Sequence, residues 1–226
     1  DRFVCAANKP CGLLVHGDGT ARDTLTARVQ SWAVREARDK GWEQVPVPQA
    51  LQRLDVGTSG VVLFSLTQEF QPIFDALVAS HDLSKCYLAV VRGKMDQRPQ
   101  RICAPLARDR HDARRMRVGA TGKHAATRVM CLDCKRGTSL VACLLETGRR
   151  HQIRVHLASQ GHPIVGDELY GGGSRGRALM LHACQESFAH PVTGEHLTLS
   201  APWPDRFSSL YSPREINWSI LETAFS

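Results

Sequence analysis

A single carboxylate, Asp55, stands in the octapeptide Arg53-Leu-Asp-Val-Gly-Thr-Ser-Gly60, beside an arginine and ahead of the apolar run Val61-Val-Leu-Phe64. Glycines at 57 and 60 permit positive φ and a close approach of backbone to ligand. The β-branched residues that follow predict a buried strand anchoring the loop. One ionised acid held on an anchored turn suits general-base or nucleophilic chemistry. In isolation the octapeptide also describes a plain polar turn between two strands.

A second segment, Glu146 to Gly171, is rich in cations and histidines. Ile153, His156 and Leu157 follow i, i+3, i+4 spacing, Gly161 stands where a left-handed C-cap would end a helix, and Pro163 comes two residues later. This predicts a short helix from about His151 to Gln160. Arg149, Arg150, His151, Arg154 and His156 are too many basic groups for an ordinary core helix. With Ile153 and Leu157 docked on the core, Arg154 is directed into a cleft, where it is a candidate partner for Asp55. A purely structural ion pair is the alternative.

These residues need elements to position them. Leu25, Val29, Trp32, Ala33 and Ala37 predict an amphipathic helix capped by Asp23 and ended by Gly41. Phe70, Phe74, Leu77, Val78 and His81 predict a second, with Pro72 tolerated in its first turn. Lys85 to Arg92 alternates as a strand, with Tyr87 on one face. Residues 127 to 133 and 139 to 147 predict a hairpin turning at Lys135-Arg-Gly137, with Cys131 and Cys143 as small apolar side chains. Gly171 to Gly176 predicts a flexible loop, and Trp218, Ile220, Leu221 and Phe225 predict a short helix in a tail from 206 to 226.

Charge points to an anionic partner. Of a formal net charge of +7, all is concentrated between Arg98 and Arg128, where nine lysines and arginines face only Asp109 and Asp112. Such a window, poor in aromatics, reads as a phosphate-facing surface, since cations that neutralise a nucleic-acid backbone release its condensed counterions. The chain's 42% hydrophobic residues suffice for one domain or two joined halves, and no apolar run approaches a membrane span. Eight irregularly spaced cysteines fit buried thiols in a reducing intracellular compartment better than a disulfide scaffold. Cys131-Leu-Asp-Cys134 lacks a second ligand pair, so no metal site is expected. Gly57-Thr-Ser-Gly60 lacks the elbow of a serine hydrolase, and no phosphate-binding loop appears.

Together the motifs resemble the RluA-type family of RNA pseudouridine synthases. The resemblance rests on Arg53 to Gly60, on Thr147-Gly-Arg-Arg-His-Gln-Ile-Arg-Val-His-Leu157 and on Gly161-His-Pro-Ile-Val-Gly-Asp167. It extends through Asn8-Lys-Pro-Cys-Gly-Leu-Leu-Val-His16, Lys85 to Gly93, Leu181-His-Ala183, Phe188 to Pro191 and Ala201 to Pro204, in the family's order. It implies an α+β fold, a mixed and mostly antiparallel sheet with flanking helices and a central cleft, built from residues 1–205 with 206–226 as an extension. No S4-like segment precedes Asn8; because residue 1 is aspartate, an upstream targeting segment is an open possibility, and with it a mitochondrial rather than cytoplasmic location.

The same resemblance implies isomerisation of a uridine already in RNA, without metal or organic cofactor, by a monomer. Asp55 matches the essential aspartate, either attacking C1′ or removing the C2′ proton; Arg154 matches the arginine that pairs with it. Tyr87 matches the tyrosine near the uracil, and Arg53 the arginine that fills the space left by a flipped nucleotide. Lys85, Arg149 and His151 join as RNA or base contacts, as do Arg108, Arg110, Arg114 and Arg115. Ribosomal RNA is expected over transfer RNA, with ribosomal assembly intermediates as further partners; the competing expectation is an RNA-binding assembly factor whose catalysis is secondary or lost. Two residues depart from the family's pattern: Gln52, where histidine is common, and Arg150, where a threonine or serine hydroxyl would cap the helix.

Overall fold

The computed structural model describes residues 1–17, 19, 21–173 and 176–215. In chain order the elements are β1 (Val4–Lys9), α1 (Leu25–Lys40), β2 (Gln49–Ala50), β3 (Ser59–Ser65), α2 (Gln71–Ala79), β4 (Ser84–Arg92), β5 (Gln100–Cys103), β6 (Leu106–Arg108), β7 (Met116–Val118), β8 (Ala126–Lys135), β9 (Thr138–Leu145), α3 (Gln152–Ser159), β10 (Leu181–Ala189) and β11 (His196–Ser200). This is an α+β fold whose described strand pairings are antiparallel. The chain divides into two compact units, Asp1–Leu83 with Gln185–Ala201, and Ser84–Cys184 with the described residues from Pro202. Among the described residues no helix is long and apolar enough to cross a membrane.

In the first unit β3 pairs with β1, Val4 facing Ser65 and Lys9 facing Gly60, and with the short β2. Every residue of β3 is buried, and its centre, Val61 to Phe64, is accordingly a continuous apolar run and not an alternation. Val61 and Leu63 join Val4, Leu51, Phe74, Leu77, Leu83 and Phe188 in one core. Leu63 and Phe74 are fully buried, each worth roughly 2 to 3 kcal/mol relative to exposure. Helix α1 stops at Gly41, whose left-handed φ of 64° lets its N–H reach the carbonyls of Ala37 and Arg38. At the other end the expectation needs correction: the cap is Thr24, whose hydroxyl accepts from the Ala27 N–H, while Asp23 is taken up by Arg28 at 2.7 Å. Helix α2 begins as expected with Pro72 in its first turn, but His81 lies beyond its end in a left-handed turn, φ 64°.

The second unit carries β4, β9, β8 and β5 side by side in that order. The β8–β9 hairpin turns at Arg136 and Gly137, both with positive φ (53° and 73°), the geometry that matches strand twist in a two-residue loop. Cys131 and Cys143 are buried as the pattern required, and all eight cysteines are free thiols. Burial and the neighbouring Cys134 push the Cys131 thiol up to about 12. The glycine loop after Tyr170 is tighter than its composition suggested. The Gly172 N–H closes on the Asp167 carbonyl at 2.8 Å, and a Cβ there would lie 1.7 Å from the Ile164 oxygen. Ser174 and Arg175 of that loop lie outside the described residues, as do Trp218, Ile220, Leu221 and Phe225 of the tail. Ahead of them Phe207 and Tyr211 are buried, and Arg206 donates to the carbonyls of Leu179 and Leu181.

Candidate active site

The first unit presents Asp55 on a loop whose backbone is strapped at three successive carbonyls. The Asp55 carbonyl accepts from the Thr58 N–H at 2.9 Å, that of Val56 from the Gly12 N–H at 2.8 Å, and that of Gly57 from the Cys11 thiol at 3.1 Å. Lys9, with no exposed surface, drives its ammonium among the carbonyls of Pro10, Leu13 and Val56 at 2.7 to 3.0 Å, matching its three donors to three acceptors. Leu54 is buried between an exposed Arg53 and a half-buried Asp55, which anchors the turn that carries the carboxylate. Gly60 adopts φ 116°, a conformation that favours glycine, whereas Gly57, expected to do the same, does not take positive φ among the described residues. Gln52 donates its amide to both oxygens of the buried Glu186 at 2.7 Å.

The second unit holds Tyr87, Lys85, Arg149, His151, Arg154 and the arginine cluster. Tyr87 is buried on β4 opposite Cys143, and Lys85 is half-buried two residues earlier. Arg154 lies buried on α3 and grips Asp167 in a fork, Nε to Oδ2 at 2.7 Å and Nη2 to Oδ1 at 2.9 Å. Asp167 is itself buried and accepts from the Leu169 and Tyr170 N–H groups, so the arginine is aimed by a carboxylate that the backbone already fixes. The Arg154 guanidinium carbon stands 5.1 Å from the centre of the Tyr170 ring, and that of Arg115 stands 5.5 Å from the same ring. His151 meets Tyr170 edge to face and its Nδ1 lies 2.7 Å from the tyrosine hydroxyl.

What seats α3 is a buried polar network at its base. Gln152 donates to the Ala126 carbonyl and the Thr127 hydroxyl, both at 2.9 Å, and its oxygen accepts from Thr147 at 2.7 Å and from the Arg149 N–H at 3.0 Å. The Thr127 hydroxyl donates to His156 Nδ1 at 2.9 Å, which leaves His156 to donate from Nε2 to the Ala104 carbonyl at 3.0 Å. Burial holds the His156 pKa below its ordinary value, in keeping with this neutral tautomer. A hydroxyl cap at position 150 is therefore not what secures the helix. The chain enters α3 through His151, which makes no side-chain cap bond and takes φ 55°, and the Gln152 amide oxygen ties down the Arg149 N–H instead.

Arg108, Arg110, Arg114 and Arg115 are brought together, all exposed, on the hairpin of β6 and β7. The two acids of the basic window shape its tip. Asp109 accepts from the His111 and Asp112 N–H groups, and Asp112 accepts from the Arg114 N–H and guanidinium, which lower its pKa to about 2. Hydrogen bonds from backbone and neighbouring guanidinium thus keep both carboxylates ionised. Not every cation of the window belongs to this surface: Arg101 on β5 is forked onto Glu146 at 2.7 Å. Arg149 donates to the His124 carbonyl at 3.0 Å.

A model for RNA pseudouridylate synthase matches residues 4–159. The chain belongs to that family. Among curated relatives, the uncharacterized RNA pseudouridine synthase YhcT of Bacillus subtilis is 37% identical over 213 residues, 93% of this chain and 69% of that protein. Ribosomal large subunit pseudouridine synthase D of Xanthomonas campestris is 36% identical over 228 residues, 94% of this chain and 67% of its own. tRNA pseudouridine synthase C of Yersinia pestis is 32% identical, across 97% and 90%. The solved human RNA pseudouridylate synthase domain containing 4 shares the fold at a TM-score of 0.74 and 24% identity, over 92% of this chain and 88% of that one. As a family member the chain is an isomerase that acts on uridine in RNA.

Sequence reasoning passes over several of these residues: Asp167 closes a motif without a role of its own, and Tyr170, Lys9, Gln152 and His156 are likewise given none. Asp167 follows a Pro-Ile-Val-Gly turn, and an acid placed directly after such a turn, one loop beyond a cationic helix, is the available signal. For Lys9 the signal is the charge at the end of a mostly apolar strand.

Proposed function

We propose that the chain converts specific uridines of structured RNA, ribosomal in preference to transfer, into pseudouridine, working as a monomer with no metal or organic cofactor. The observation that carries this reading is Arg154: a buried guanidinium, aimed by Asp167 and stacked on Tyr170, in a unit that also bears an exposed cluster of arginines. In the reaction the N1–C1′ bond breaks, the uracil turns, C5 joins C1′, the C5 proton is lost and the freed N1 takes up a proton. Asp55 acts on the ribose, as nucleophile at C1′ or as base toward the C2′ proton, and Arg154 favours its ionised form. Tyr87 receives the C5 proton directly or through water, and Arg53 fills the stack vacated by the flipped nucleotide. Arg108, Arg110, Arg114 and Arg115 hold phosphates, with Lys85, Arg149 and His151 nearer the nucleotide. The ribosomal preference is supported by the large-subunit names of relatives such as that of Xanthomonas campestris, against which stands the transfer RNA name of the Yersinia pestis relative.

The test is mapping of pseudouridine, by carbodiimide adducts and primer extension, in ribosomal and transfer RNA treated with the purified chain. Wild type yields a stop at a defined ribosomal uridine and Asp55→Asn yields none; product from Asp55→Asn, or its absence with wild type on both RNAs, overturns the reading. Growth that Asp55→Asn sustains while the modification is lost assigns the chain an assembly role instead.

A further inference from the structure

We infer that Arg150 is a positioning residue that latches the arginine hairpin onto the base of α3, so that RNA meets one preset surface and not a swinging arm. Its guanidinium reaches 36 residues back along the chain and donates Nη2 to the Arg114 carbonyl at 3.0 Å and Nη1 to the Ala113 carbonyl at 3.3 Å. An exposed arginine among like charges would ordinarily turn outward to water. This one instead directs two N–H groups at adjacent main-chain carbonyls of the tip, which the planar fork reaches with two separate nitrogens where an ammonium has only one to serve both. The hairpin has a second hold nearby: the Met116 N–H donates to the Tyr170 hydroxyl at 2.8 Å, while Leu106 packs with Ala125, Val155 and Tyr170 and Met116 lies against them.

The tip is thereby fixed at both of its ends. Asp109 and Arg115 close it internally, N–H to carbonyl at 3.1 Å, and Arg150 ties the closed tip to the residue that precedes the turn into α3. Arg115 and Arg154 face one tyrosine ring, so the latch sets the spacing between phosphate-reading and nucleoside-reading guanidinium groups. A threonine at position 150 reaches neither carbonyl. This role rests on the reading of the chain as an RNA-modifying enzyme, and it concerns substrate capture, leaving the chemical step untouched.

Arg150→Thr and Arg150→Lys in the full chain test it, with Arg150→Gln standing in should the threonine variant fail to fold. Hydrogen exchange without RNA is the first readout: the amides of Asp109, Arg115 and Met116 exchange about tenfold faster in Arg150→Thr while those of α3 do not change. Kinetics on transcribed large-subunit ribosomal RNA are the second: KM rises about tenfold with kcat within about twofold. Unchanged exchange overturns the latch whether or not the chain modifies RNA, as does full recovery of KM by Arg150→Lys, which would reduce Arg150 to a bare charge. A wild-type chain that makes no pseudouridine overturns the functional reading, and the exchange result still decides the latch.

Discussion

The base of α3 and the tip of the arginine hairpin lie in the same unit and are built on opposite principles. At the base every group is dry and matched: Gln152 makes four hydrogen bonds, His156 uses both ring nitrogens, and Arg154 is clamped by a buried aspartate. At the tip the arginines are exposed, and its turn is capped by two solvated carboxylates. Low dielectric makes the first region intolerant of any unmatched group, while water forgives substitutions in the second. Orientation of a reactive nucleoside calls for the first construction, and capture of a polyanion only for the second.

The sharpest way to break the contrast is Asp167→Ala, which takes the forked carboxylate away from the Arg154 guanidinium and from two N–H groups. A loss of about 3 to 5 kcal/mol is expected from removing one partner of a buried pair, read as a lower urea midpoint at constant m, together with loss of pseudouridine formation. A change under about 1 kcal/mol, the range of a surface pair, would place the base among tolerant regions. Charge removal at the tip sharpens the other side. Replacing Arg108, Arg110, Arg114 and Arg115 by Gln leaves thermal stability nearly unaltered and lowers RNA affinity, flattening its logarithmic salt dependence by about 0.7 to 0.9 for each phosphate no longer neutralised. Arg154→Ala, by comparison, abolishes turnover with little effect on that slope; equal losses of affinity from both would erase the distinction.

The smallest expected effect is a pH dependence lodged at the base. Burial lowers the folded-state pKa of His156 below 6.5, so as pH falls through 6.5 the unfolded chain binds a proton that the native chain refuses. The contribution is complete above about pH 6.5 and declines as pH falls from there to the depressed native pKa. Urea midpoints at pH 7.5 and 5.5 check this, and His156→Gln reduces the difference. No comparable loss should arise from Asp109 and Asp112, whose lowered pKa values keep their contribution intact until the carboxylate range is entered.

Periodic features were legible in the sequence because spacing alone encodes them. The short helix with Arg154, the buried strand after Gly60 and the turn at Arg136-Gly137 each follow from local pattern and the φ preferences of glycine. The Thr24 cap was missed by one residue because Asp23 and Thr24 offer the same acceptor chemistry, and only the pull of Arg28 on Asp23 separates them. Gln152 was invisible for a different reason: an amide in a basic run reads as surface, and its four partners come from residues spread between 126 and 149. Arg150 was noted as a missing hydroxyl, but the carbonyls it reaches are set by the hairpin, which no local window contains.

Lys9 carries a consequence for chemical probing of the chain. A lysine with all three donors committed and no surface in contact with solvent is shielded from amine-directed reagents, unlike the exposed lysines elsewhere. Acylation at that position marks a molecule in which the strap beneath Asp55 has already opened, so the fraction labelled over time measures how often the acid-bearing turn comes loose, a clock that no assay of catalysis provides.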